Sequence, residues 1–158
     1  NQYPVAIRVP CNGVIEDDRE VDQDYSQLNR YKIEKLGEKV AILALGDFYQ
    51  IGEELASEVE KQCGFIPTLI NPRYITGIDE TVLTSLKDYQ LIITLEDGIL
   101  DGGFGEKISR YFGLSDVKVK NYGFKKEFLD RYDFCDILEK EGITINQMLN
   151  LIKNTIQS

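Results

Sequence analysis

Histidine is absent from all 158 residues, and that absence excludes more chemistry than any single motif supplies. Ser-His-Asp and Cys-His nucleophile systems, His-ligated zinc and imidazole proton shuttles all need a ring nitrogen that this chain lacks. Tryptophan is missing as well, and there are only four prolines. The three cysteines, Cys11, Cys63 and Cys135, are far apart and odd in number, with no CxxC or metal-ligand spacing. This usage predicts reduced thiols and a cytoplasmic setting. Cys63 continues Ile51, Leu55 and Val59 at four-residue steps and reads as core packing. No apolar run approaches the ~20 residues that span a bilayer, and no charged-then-apolar leader opens the chain. Cations are in deficit, 18 Lys and Arg against 27 Asp and Glu, for a net charge of −9. Nucleic acid as a main partner needs the opposite balance on some face. A local basic pocket is still compatible with that total.

What is present fits one domain with a real core. The first residue is Asn rather than Met, which leads to the expectation that the chain is part of a longer protein. Val5, Ile7 and Val9 alternate like a short strand, Pro10 interrupts it and Asn12-Gly13 supplies a turn. Residues 16–24 hold six acids against one Arg, a solvated linker by composition; as a carboxylate metal site the segment lacks the EF-hand glycine and glutamate spacing. From residue 31 strands and helices alternate. The near-continuous apolar stretch 39–45 predicts a strand buried on both faces. A helix over 49–62 is expected to stop at Gly64, and a second buried strand to cover 67–71. Asp79 caps a short helix carrying Val82, Leu83 and Leu86; strands follow at 91–95 and 117–121, with a helix over 103–112 between them. Thr144 and Gln147 form a capping box, with Ile143 and Met148 as its hydrophobic staple, before the stripe Met148, Leu149, Ile152, Ile156. The alternation predicts a three-layer α/β/α fold with a mostly parallel five-stranded sheet. Residues 31–36 leave no room for a crossover helix, so they pair antiparallel at an edge.

Three features carry possible chemistry. Arg8 is a charge within the apolar segment 5–10, where a guanidinium meets either a protein carboxylate or an anionic ligand. Arg73, in Asn71-Pro72-Arg73-Tyr74, follows a buried strand, and ligands of open α/β sheets gather at such carboxyl ends. Two arginines converging on one phosphate would give bidentate, charge-assisted bonds. The third feature is Thr94-Leu95-Glu96-Asp97-Gly98 followed by Asp101-Gly102-Gly103-Phe104-Gly105. Its glycines either let backbone N–H groups approach an anion or permit close strand–helix packing. Glu96 and Asp97 read either as a general acid/base pair or as exposed loop carboxylates.

In this order the segments resemble the C-terminal domain of the transketolase superfamily, most closely its 1-deoxy-D-xylulose-5-phosphate synthase branch. The resemblance runs from about residue 3 to residue 156. Pro4-Val5-Ala6-Ile7-Arg8-Val9-Pro10 is similar to the family's P-x-A-x-R-Y-P-R-G, and Val40-Ala41-Ile42-Leu43-Ala44-Leu45-Gly46 to its first core strand. Asn71-Pro72-Arg73-Tyr74-Ile75 with Asp79 resembles D-x-R-F-x-K-P-L-D, and Thr94-Leu95-Glu96-Asp97 with Gly102-Gly103-Phe104-Gly105 resembles T-x-E-E…G-G-F-G. Departures fall at Val9, Cys11, Gly77-Ile78 and Arg131-Tyr132.

The resemblance implies residues 1–28 as the tail of a preceding pyrimidine-binding domain plus linker, and 29–158 as the transketolase-like C-terminal domain. A strand cut off from its sheet leaves 1–28 expected to be poorly ordered in isolation. It implies a transferase that condenses pyruvate with glyceraldehyde 3-phosphate, releases carbon dioxide and feeds isoprenoid precursor synthesis. The cofactors implied are thiamine diphosphate and magnesium, held by domains other than this one. Arg8 and Arg73 match positions that hold the acceptor phosphate, Glu96 matches a structural or interdomain position, and Glu96, Gly102, Gly103 and Gly105 together are a candidate anion or interdomain contact. No catalytic residue and no metal ligand are expected on this chain, and the chain alone is expected to be inactive. Expected partners are the other domains of the same enzyme, a second copy in a homodimer and a small phosphorylated substrate, with neither nucleic acid nor membrane. The alternatives are a non-catalytic interaction module, or this domain in another superfamily member such as a transketolase or a 2-oxoacid dehydrogenase beta subunit.

Overall fold

The computed structural model describes residues 4–6, 23–128 and 133–156. Five strands form one sheet in the order β1-β3-β2-β4-β5, with β1 (Lys32–Lys35) antiparallel to β3 (Thr68–Asn71) at one edge. The remaining neighbours, β2 (Val40–Leu45), β4 (Leu91–Ile99) and β5 (Lys118–Phe124), run parallel to one another and to β3. Alternation along the central strands separates two helical layers. Val40, Ile42 and Ala44 face α1 (Tyr49–Cys63) and α5 (Ile145–Ile156), whereas Ala41 and Leu43 face α2 (Glu80–Ser85) and α3 (Phe104–Phe112). Each fully buried Ile or Leu in β2 contributes roughly 1.5–3 kcal/mol of transfer free energy. This is why an unbroken apolar run is stable only in the middle of the sheet.

The local signals work as their chemistry predicts. Gly64, at φ +75°, ends α1, and its N–H donates to the Glu60 carbonyl at 3.2 Å. Asp79 caps α2 by accepting the N–H groups of Thr81 and Val82, and Thr144 Oγ1 accepts the N–H of Gln147 at 3.4 Å. The Gln147 side chain returns to the Thr144 hydroxyl rather than to its N–H, so the capping box is half formed. Cys63 is half-buried and packs against the α1/α5 layer.

Four expectations need correction or completion. The third parallel strand extends beyond residue 95 to Ile99, because after a register shift the ladder with β5 resumes at Ile99–Phe124. β5 likewise continues to Phe124. A helix the periodicity did not reveal, α4 (Phe134–Lys140), is only seven residues long and is capped by Asp133, whose side chain accepts from Cys135 and Asp136. Residues 4–6 of the expected N-terminal strand are irregular, with Val5 67% exposed; residues 7–9 of that strand lie outside the described residues, as do Cys11, the acidic segment up to Asp22, Arg131 and Tyr132. No helix among the described residues is long and apolar enough to cross a membrane.

Candidate functional site

Two loops leave the carboxyl ends of the parallel strands, and the chain builds them in opposite ways. Within the second half of β4, Glu96 is only 5% exposed, so it is not the loop carboxylate its flanking residues suggest. Its Oε2 accepts the N–H of Phe104 at 2.8 Å and its Oε1 accepts the N–H of Gly105 at 2.9 Å. Two donors at the N-terminus of α3 thereby find a charged acceptor where the helix dipole favours negative charge. The glycines follow from this contact. A Cβ on Gly103 would sit 2.6 Å from Glu96 Oε2, and one on Gly105 would sit 2.6 Å from Thr94 Oγ1. Thr94 is fully buried and donates to Asn121 Oδ1 at 2.9 Å, which fixes the position of the atom Gly105 must clear. Gly102, at φ +74°, turns the chain and gives its N–H to Glu106 Oε2 at 2.9 Å. The anion at this helix start is therefore supplied by the chain itself.

At the end of β3 the polarity is reversed. Asn71 Oδ1 accepts the N–H of Arg73 at 3.0 Å, an Asx-type turn that holds Arg73 at φ +60°, in the left-handed region. The guanidinium then grips the backbone opposite: Nε and Nη2 donate to the Arg30 carbonyl at 3.1 and 2.9 Å, and Cζ lies 5.7 Å from the Tyr25 ring centroid. Tyr74 OH donates to the Tyr25 carbonyl at 3.1 Å, and Thr76 Oγ1 donates to Asn29 Oδ1 at 2.7 Å. Asp79, 5% exposed, accepts the N–H of Tyr31 at 3.0 Å besides capping α2. Lys107 of α3 crosses to the Ile75 carbonyl. Burial pushes the Tyr31 phenol above its ordinary range, with Asp79 contributing smaller opposing effects. Segment 23–31 is thus fastened over the loop 72–79.

Glu96, Gly103 and Gly105 come together, with Gly102 beside them. Arg73 belongs to a different strand end, separated from β4 by β2. Arg8 lies outside the described residues, so its distance from Arg73 is not defined. Arg30, Asn29 and Tyr25 are the site neighbours that sequence reasoning missed. The usable signal was the antiparallel edge: Lys32 pairs with Asn71, and just past that pair Arg73 reaches the Arg30 carbonyl.

Residues 29–148 match the family model described as "Transketolase, C-terminal domain". The chain belongs to the transketolase C-terminal domain family. Among curated relatives it is similar to the 1-deoxy-D-xylulose-5-phosphate synthase of Methylacidiphilum infernorum, at 35% identity over 154 residues, covering 92% of this chain and 24% of that protein. The enzyme of the same name from Bacillus velezensis is 28% identical over 156 residues, covering 95% of this chain and 24% of the relative. This chain therefore spans about a quarter of the length of these relatives. Among solved structures it resembles a split-gene transketolase in an inactive beta4 tetramer, with a TM-score of 0.71 at 20% identity, over 83% of this chain and 43% of that one. A transketolase from Campylobacter jejuni gives a TM-score of 0.52 at 20% identity, over 80% of this chain and 18% of the other. These two likenesses establish the transketolase C-terminal fold.

Proposed function

We propose that this chain is the C-terminal part of a 1-deoxy-D-xylulose-5-phosphate synthase, a cytoplasmic homodimeric transferase that condenses pyruvate with glyceraldehyde 3-phosphate and releases carbon dioxide. The observation that carries the reading is the similarity, over 92% of this chain, to a synthase of that name. In this reading residues 1–28 complete the preceding domain and its linker, and residues 29–158 form the domain described above. Arg73 binds the acceptor's phosphate. Its strand-end position, its fixed backbone and its backbone-held guanidinium support orientation more than chemistry. Arg8 is its proposed partner. Glu96 with Gly102, Gly103 and Gly105 sets the α3 junction that faces the other domains.

Thiamine diphosphate with magnesium would supply the carbanion chemistry, but the described residues do not fit a metal site: none of their Cys, Asp and Glu side chains group in threes to hold an ion. By the family resemblance the cofactor belongs to the remainder of the enzyme, and no step runs through this chain.

The test uses the full-length protein containing this chain, with thiamine diphosphate, magnesium and pyruvate, following carbon dioxide release as glyceraldehyde 3-phosphate is added. Acceptor-dependent release is expected, and Arg73→Ala should raise the acceptor KM about 10–100-fold with kcat little changed, the loss of one charge-assisted phosphate contact. Absence of acceptor-dependent release would overturn the assignment. A second reading, a non-catalytic assembly module, draws on the inactive split-gene tetramer among the structural neighbours. It predicts turnover indifferent to Arg73.

A further inference from the structure

We infer that Arg30 is a further phosphate-binding residue, acting beside Arg73 on the same anion; this rests on the acceptor-phosphate reading above. The geometry begins with the edge pairing. Lys32 is opposite Asn71 at the end of the antiparallel ladder, and just beyond it the chain turns at Arg73 beside Arg30. The fork of Arg73 on the Arg30 carbonyl, at 3.1 and 2.9 Å, fixes this juxtaposition. Two guanidinium groups brought to one loop repel, so a negative group bound between them would stabilise the arrangement.

Among the described residues the carboxylate beside Arg30 is Asp79, and that carboxylate is largely used. Its Oδ1 accepts from Thr81 and Val82 and its Oδ2 accepts from Tyr31. Arg30 Nη1 stands 3.7 Å from Asp79 Oδ1, an electrostatic contact longer than a hydrogen bond. Among the described residues the guanidinium of Arg30 makes a single hydrogen bond, Nε to Gln27 Oε1 at 3.2 Å, between two exposed side chains. The Arg30 side chain is 51% exposed, so its other donors remain accessible. Lys107 approaches the same loop from α3, at the Ile75 carbonyl. In a chain of net charge −9, three cations therefore surround one strand end whose nearest acid is already committed to backbone donors. A phosphate monoester dianion matches the two arginines in charge, and its oxygens accept from guanidinium donors. Arg30 thereby adds specificity for phosphorylated over neutral acceptors.

Arg30→Ala is a clean probe because it keeps the backbone carbonyl that Arg73 grips. Binding of inorganic phosphate to the full-length protein would be measured by isothermal titration for wild type, Arg30→Ala, Arg30→Lys and Arg73→Ala. Thermal melting of each variant would serve as the folding control. Expected is an affinity loss of about tenfold for Arg30→Ala, partly recovered by Arg30→Lys, and a similar or larger loss for Arg73→Ala. Loss confined to Arg73→Ala overturns the role of Arg30 and leaves the clamp standing. Unchanged affinity in both variants, or no phosphate binding by wild type, overturns both. The synthase assignment is scored separately by acceptor-dependent carbon dioxide release, so its failure with phosphate binding intact would leave the arginine pair in place.

Discussion

The β4–α3 junction and the loop after β3 stand at the same end of one sheet, yet one is closed on itself and the other presents charge outward. At the first, a buried glutamate satisfies two helix-terminal N–H groups and occupies the place an exogenous anion would take. At the second, an arginine in a left-handed turn is held by a backbone carbonyl, beside a second, half-exposed arginine. Glycines near a helix start therefore do not by themselves mark an anion site. What decides is whether the chain already supplies the anion.

The contrast breaks most sharply at Glu96. Glu96→Ala leaves the Phe104 and Gly105 N–H groups buried without their acceptor and should cost about 3 kcal/mol of stability, read by urea denaturation of the full-length protein. A loss under about 1 kcal/mol would mean that water or another group satisfies that helix start, and the junction would no longer be self-contained. A smaller effect sharpens the other side of the comparison. Tyr31, beneath the arginine loop, titrates above its ordinary value of 10.0 because burial disfavours the phenolate. A group whose folded pKa is raised retains protons that the unfolded chain releases, so its share of stability is intact below pH 10 and is lost as pH rises beyond it. Denaturation midpoints should thus fall above pH 10, and Tyr31→Phe should flatten that fall. At neutral pH it should cost under about 1 kcal/mol, since the bond it removes, to the Gly77 carbonyl, is 3.4 Å long.

Much of this architecture is legible because apolar periodicity and caps are local. The stretch 40–45 could only be a doubly buried strand, Gly64 ends α1, and the absence of a crossover after residue 36 forces the antiparallel edge. The extension of β4 was hidden because Glu96 looks like a strand-ending polar residue until its acceptors meet donors eight and nine residues later. α4 was hidden because seven residues carry too few turns to declare a period. At the arginine loop, the strand-end position of Arg73 followed from the strand pattern. Its contact with Arg30 did not, because it spans 43 residues and depends on register rather than on composition.

The central claim is that one strand end is a ligand site and the other a structural joint. It is tested most directly by the rise in melting temperature that inorganic phosphate gives the full-length protein, compared in wild type, Arg73→Ala and Glu96→Gln. Because a ligand stabilises only a state that binds it, wild type and the intrinsically weaker Glu96→Gln should both gain with added phosphate, while Arg73→Ala should gain little or nothing. A full gain in Arg73→Ala, or its selective loss in Glu96→Gln, would contradict the account.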